Sequence, residues 1–101
     1  MINIIIYQEE NIIKKVSIKG HSQYAPKGED IVCAGVSAIG IGTVNAIYEI
    51  KKLKPKFQSK DGFLELEFND EHDEQVIAQT MLVQLKSIEE SYKEYVKIQY
   101  K

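Results

Sequence analysis

Gly20-His21-Ser22-Gln23-Tyr24-Ala25-Pro26-Lys27-Gly28-Glu29-Asp30-Ile31-Val32-Cys33-Ala34-Gly35-Val36-Ser37-Ala38 decides the reading of this chain. It carries the single cysteine and one of the two histidines. Residues 20–29 have glycine near both ends, Pro26 inside and little apolar content, the composition of a loop. Asp30 then reads as an N-cap and Ile31 as the first residue of a helix. Cys33 falls in that first turn, where the positive end of the backbone dipole favours a thiolate. A neighbouring imidazole takes the thiol proton and holds it as a counter-charge. These are the minimum parts of a cysteine nucleophile, although a carboxylate at Asp30 opposes thiolate formation close by.

Outward from this stretch, the helix should run to about Lys52, with Pro55 preventing much further extension. Val32, Val36, Ile39, Thr43, Ala46/Ile47 and Ile50 trace one face at helical spacing. Cys33, Ser37, Gly40/Ile41 and Val44 trace a neighbouring stripe, which puts Ser37 one turn beyond Cys33 on the same side. Gly35, Ser37, Ala38, Gly40 and Gly42 are small for a helix interior. Each glycine there costs roughly 1 kcal/mol relative to alanine, so close approach of a sheet, a partner chain or substrate backbone is expected to compensate.

Residues 2–7 and 12–19 are rich in isoleucine and valine, with Gln8-Glu9-Glu10-Asn11 between them as a hairpin turn. Phe57 opens a second pair of strands turned by Asp61-Gly62. Leu64, Leu66 and Phe68 alternate with polar residues, which marks a sheet with one wet face. A second helix is expected over about 73–93, with Ile77, Met81, Leu85, Ile88 and Tyr92 as its stripe and Glu89–Lys93 as an i,i+4 pair. Val96, Ile98 and Tyr100 end the pattern as a strand. The order ββαββαβ predicts an α+β two-layer sandwich, a mainly antiparallel sheet with two helices packed on one face. Residues 1–101 are expected to form one domain around one core.

The net charge of −2 gives no electrostatic case for nucleic acid or an anionic membrane as a direct partner. One cysteine excludes an internal disulfide framework and a cysteine-based zinc cluster. No metal or cofactor is expected. A free thiol fits a reducing compartment. The Met1-Ile2-Asn3-Ile4-Ile5-Ile6 run has neither the basic start nor the length of a signal peptide or membrane span, so a cytoplasmic location is expected.

The run from Gly20-His21 through Gly28-Glu29-Asp30-Ile31-Val32-Cys33-Ala34 to Val36-Ser37-Ala38 resembles the signature of the ribosomal-processing cysteine proteases, the Prp family. Val44-Asn45-Ala46-Ile47 and Gln79-Thr80-Met81-Leu82 also resemble family positions, and length and element order agree over essentially the whole chain. The resemblance implies an endopeptidase that removes the N-terminal extension of a large-subunit ribosomal protein, cutting after an aromatic pair, and a homodimer. It makes His21 and Cys33 the catalytic pair. Asp30 and Ser37 become its other characteristic polar positions, with Gly20 and Gly28 bracketing the loop. In the mechanism this implies, Cys33 attacks as thiolate, His21 serves as general base and then acid, and amides at the helix start stabilise the oxyanion. Asp30 caps the helix or orients His21; Ser37 donates to the thiolate or contacts substrate backbone. The 20–29 loop is expected to close over substrate and bring His21 to Cys33, so that without substrate the pair stands apart.

Other readings accompany these. Cys33 is structural in a non-catalytic ribosome-assembly or peptide-binding module, or it is a redox-sensing thiol. Tyr24 is a loop anchor or a wall of the substrate pocket. His72 in its acidic turn is solvated surface, or joins Asp70 or Asp73 in weak metal binding, for which one histidine with scattered carboxylates is a poor site. The cluster Lys51-Lys52-Lys54-Lys56 is a solvated helix end or an aid to approaching a ribosomal particle.

Overall fold

The computed structural model describes residues 1–101. Strands β1 (Ile2–Glu9) and β2 (Ile12–Lys19) form a hairpin, followed by helix α1 (Ile31–Ala46). Strands β3 (Phe57–Lys60) and β4 (Phe63–Glu67), helix α2 (His72–Ser91) and strand β5 (Val96–Tyr100) complete the chain. The sheet order is β3-β4-β2-β1-β5. Only the β1–β5 pairing is parallel. The result is the expected α+β sandwich with a mainly antiparallel sheet.

Period-2 patterning sets the covered face. Ile2, Ile4 and Ile6 of β1, Val16 and Ile18 of β2, and Leu64 and Leu66 of β4 are buried. Val32, Val36, Val44 and Ile47 meet them from the α1 side, and Ala78, Met81, Leu82 and Leu85 from α2, in one core of 18 residues. The β1–β2 turn is tighter than expected. Glu10 and Asn11 both take positive φ (51° and 67°), the conformation of a two-residue turn matched to strand twist.

Two helix boundaries differ from expectation. α1 stays α-helical to Ala46, and Ile47–Lys51 form a π-helical turn that ends at left-handed Lys52. The wider turn rotates the stripe: Ile47 is buried, Ile50 is 62% exposed, and Lys51 swings towards α2. There its Nζ lies 2.8 Å from Glu71 and 3.6 Å from Asp73. α2 starts at His72 because Glu71 caps it, accepting from the backbone of Asp73 and Glu74. It ends at Ser91, so the Glu89–Lys93 pair does not form. Glu89 instead accepts the Ile98 N–H of β5 at 2.6 Å.

Small residues let α1 lie close to its neighbours. A Cβ at Gly40 would sit 2.4 Å from Leu64 Cδ2 on the sheet, and one at Gly35 would sit 3.2 Å from Ile88 of α2. Gly42 faces open space. Residues Ile31–Lys51 are long and apolar enough to cross a bilayer by length and composition, yet here the helix lies across the sheet with 33% of its apolar window buried. Ile31, Ile41, Tyr48 and Ile50 remain exposed.

Candidate active site

Cys33 stands where expected, in the first turn of α1, and is half-buried. Asp30 is the N-cap: its Oδ1 accepts from Val32 N at 3.0 Å and Cys33 N at 2.9 Å. Ala34 N bonds the Asp30 carbonyl at 3.0 Å. The cap occupies the amides of Val32, Cys33 and Ala34, so of the helix-start amides expected to stabilise an oxyanion these three are already bonded, while the Ile31 N–H donates to no protein acceptor. Asp30 orients the loop and not His21. Its Oδ2 accepts from the Ser22 hydroxyl in a short hydrogen bond and from Tyr24 N at 3.1 Å. Partial burial pushes the Asp30 carboxyl up, but the bonds from Ser22 and from the Cys33, Ala25 and Tyr24 amides outweigh it. They hold its pKa at about 2 against 3.8.

Nothing in the sequence singles out Ser22, yet its hydroxyl links the Asp30 carboxylate, the Tyr24 N–H and the Cys33 sulfur. It is 3% exposed. Its backbone N–H donates to Cys33 Sγ at 3.3 Å, and its Oγ lies 3.5 Å from the same sulfur. Tyr24 N donates to that Oγ at 3.2 Å. The only signal in the sequence was a small hydroxyl residue in a turn-rich loop ahead of a capping aspartate.

His21 is not hydrogen-bonded to Cys33. Its ring lies against the β3–β4 turn, where a Cβ on Gly62 would come within 2.7 Å of Nε2. Asp61 Oδ2 is 3.9 Å from the same nitrogen. Gly20 turns the chain into this position with φ of +101° and bonds Gly62 O through its N–H at 2.9 Å. A side chain at Gly20 would meet Met1 O at 2.4 Å. Gly28, at the other end of the loop, also has positive φ. Tyr24 is an anchor: its ring packs edge-on against Tyr92 (5.6 Å) and Tyr95 (5.2 Å). His72 is exposed at the start of α2.

Cys33, His21, Asp30 and Ser37 line one cleft of about 600 Å³ between the loop, α1 and the β3–β4 hairpin, with Gly20 and Gly28 at its margin. Ser37 is exposed in the cleft and makes no hydrogen bond to Cys33. Ile18, Val36, Ile41, Phe63 and Leu64 supply apolar wall. A thiol at a helix start, on the floor of a cleft that also holds an imidazole, has the parts of a cysteine hydrolase.

Comparison with known proteins narrows the class. A family model described as cysteine protease Prp matches residues 1–97. The ribosomal processing cysteine protease Prp of Staphylococcus aureus (strain Mu50 / ATCC 700699) is 38% identical over 101 residues, covering 96% of this chain and 95% of its own. The crystal structure of an essential ribosomal processing protease Prp from S. aureus, in complex with a covalently linked product peptide, is similar over 100% of both chains. Its TM-score is 0.93 at 39% identity. The same S. aureus protease in complex with a substrate peptide gives a TM-score of 0.87 at 36% identity, again over 100% of both chains. The chain is a cysteine protease. It belongs to the Prp family of ribosomal processing proteases.

Proposed function

We propose that this protease removes the N-terminal extension of a large-subunit ribosomal protein, cutting after a pair of aromatic residues. The carrying observation is the placement of the only cysteine of a cysteine-protease chain on the floor of the cleft that His21 also lines. Cys33 Sγ attacks the scissile carbonyl carbon after giving its proton to His21. The C–N bond breaks, the leaving amine takes that proton, and the acyl group stays on sulfur as a thioester. Water activated by His21 then hydrolyses it. The covalently linked product peptide in the S. aureus relative supports a covalent intermediate. The apolar wall around Phe63 and Leu64 suits aromatic substrate side chains.

His21 must leave its place over Gly62 to meet Cys33, with the 20–29 loop closing as it does so. The enzyme acts in the cytoplasm as a homodimer. The exposed apolar residues of α1 and the open space at Gly42 support a second copy on that face.

The test is a quenched fluorogenic peptide bearing the ribosomal extension, incubated with wild type, Cys33→Ser and His21→Ala, with the cut site read by mass spectrometry. Cleavage after the aromatic pair by wild type alone supports the reading. Undiminished cleavage by Cys33→Ser overturns it.

A further inference from the structure

We propose that Ser22 is a positioning residue that holds Cys33 as a neutral thiol in the resting enzyme, so that the nucleophile is released only when an acceptor displaces the Ser22 hydroxyl. The proposal rests on Cys33 being the nucleophile, as argued above.

Valence fixes the direction of every bond around Ser22 Oγ. A hydroxyl has one hydrogen and two lone pairs. The hydrogen goes to Asp30 Oδ2, because an ionised carboxylate only accepts. One lone pair takes the Tyr24 N–H at 3.2 Å. The remaining lone pair faces Cys33 Sγ at 3.5 Å. No hydrogen is left on Ser22 Oγ to offer the sulfur, so the Oγ–Sγ contact is favourable only while the sulfur carries its proton. A thiolate would face an oxygen lone pair backed by a carboxylate. Hydrogen bonding to the neutral form of an acid disfavours its ionisation.

The backbone of the same residue does the opposite. Ser22 N–H donates to Cys33 Sγ at 3.3 Å, a bond that strengthens when the sulfur is charged. One residue thus offers an acceptor for the thiol and a donor for the thiolate. When His21 arrives, the S–H turns from Ser22 Oγ to the imidazole. The proton crosses to the ring nitrogen, the electron pair stays on sulfur, and the Ser22 N–H bond remains.

Other charged or titratable groups surround the cleft: His21 and Lys27 on the loop, Lys60 at the end of β3 and Asp61 on the β3–β4 turn. Tyr92 and Tyr95 lie on the far side of Tyr24. None of them is hydrogen-bonded to the sulfur, whose only side-chain partner is Ser22.

The experiment measures the rate of iodoacetamide alkylation of Cys33 between about pH 5 and pH 9 by intact-mass spectrometry. Wild type, Ser22→Ala, Ser22→Thr and Asp30→Asn are compared. Ser22→Ala removes the acceptor and keeps the N–H. It should alkylate about fivefold faster than wild type on the acid side, the equilibrium weight of one neutral hydrogen bond, and converge with it at high pH. Ser22→Thr restores the hydroxyl and the wild-type profile. Asp30→Asn keeps the cap but presents an N–H₂ to Ser22, which turns the hydroxyl hydrogen towards sulfur and accelerates alkylation further. Coincident profiles for wild type and Ser22→Ala, or slower alkylation in Ser22→Ala, overturn the proposal. Peptide hydrolysis by Cys33→Ser is followed separately: its survival would sink the nucleophile assignment and leave the alkylation comparison standing by itself.

Discussion

The imidazole of His21 rests on Gly62, a residue 41 positions away whose missing side chain makes the seat: a Cβ there would lie 2.7 Å from Nε2. The β2–β4 register brings them together, since Lys19 pairs with Phe63 and leaves residues 20–21 opposite the turn. Gly62→Ala should therefore displace the ring. With φ at +71°, it should also cost about 1 kcal/mol of backbone strain. An altered His21 ring signal in NMR, together with a changed kcat/KM, is expected. An unmoved His21 resonance would contradict the contact.

Tyr24 ties the loop to the end of α2 and the start of β5. Edge-on aromatic pairs contribute about 0.5–1.5 kcal/mol each beyond simple burial. Tyr24→Ala should speed amide exchange across residues 22–29 and raise KM, while exchange in the sheet stays slow. Unchanged protection in the loop would show that Ser22 and Asp30 suffice to hold it.

Gly40 and Gly42 sit two residues apart on α1 and should respond oppositely to alanine. At Gly42 nothing stands within 4 Å, so alanine should add about 1 kcal/mol through helix propensity at concentrations where the chain is monomeric. At Gly40 the new methyl meets Leu64 Cδ2 at 2.4 Å. Overpacking of about 1–3 kcal/mol should exceed the propensity gain there. Urea denaturation distinguishes the two, and a Leu64→Ala background should relieve the Gly40→Ala penalty. Equal effects at both positions would argue against the close helix–sheet approach.

The Asp30 carboxyl, held at about 2, makes stability depend on acid in a stated direction. Its folded value lies below the unfolded 3.8, so the folded chain binds the proton less readily. The stabilisation is complete above the unfolded value and fades as pH falls through the folded one. The difference in Tm between wild type and Asp30→Asn should be constant above about pH 5 and shrink from there towards about pH 2. A pH-independent difference across that window would mean that the Asp30 bonds are not made in solution.

Much of this architecture was legible because the patterns are local. Ile2, Ile4 and Ile6 alternate, Asp30 precedes an apolar period, and Asp61-Gly62 announces a turn. The motif resemblance located Cys33, His21, Asp30 and Ser37, and all four line one cleft. What escaped was set by contacts between distant segments or by subtle backbone choice. No glycine or proline marks the π turn at Ile47–Lys51; it shows only in the burial it changes, with Lys51 turned to Glu71 where Ile50 was expected to pack. The commitment of the Val32, Cys33 and Ala34 amides to Asp30 depends on the cap's geometry, which sequence alone does not specify. Ser22 looked like any turn serine. Its importance arises from the loop path that carries residue 22 back over residues 30 and 33.

The parallel pairing of β1 with β5 also has a consequence for how the enzyme comes into being. Ile2 N bonds Tyr95 O at 2.8 Å and Lys101 N bonds Ile6 O at 2.9 Å, so the first strand is completed by residues that follow every other element. During translation β1 waits with one ladder open and an isoleucine-rich edge that invites pairing with other chains. Ile2 also lines the cleft, so its wall settles only when β5 docks. A nascent chain of this protease is accordingly an aggregation risk before it is an enzyme, and loss of residues 96–100 should be felt first as insolubility and only then as lost catalysis.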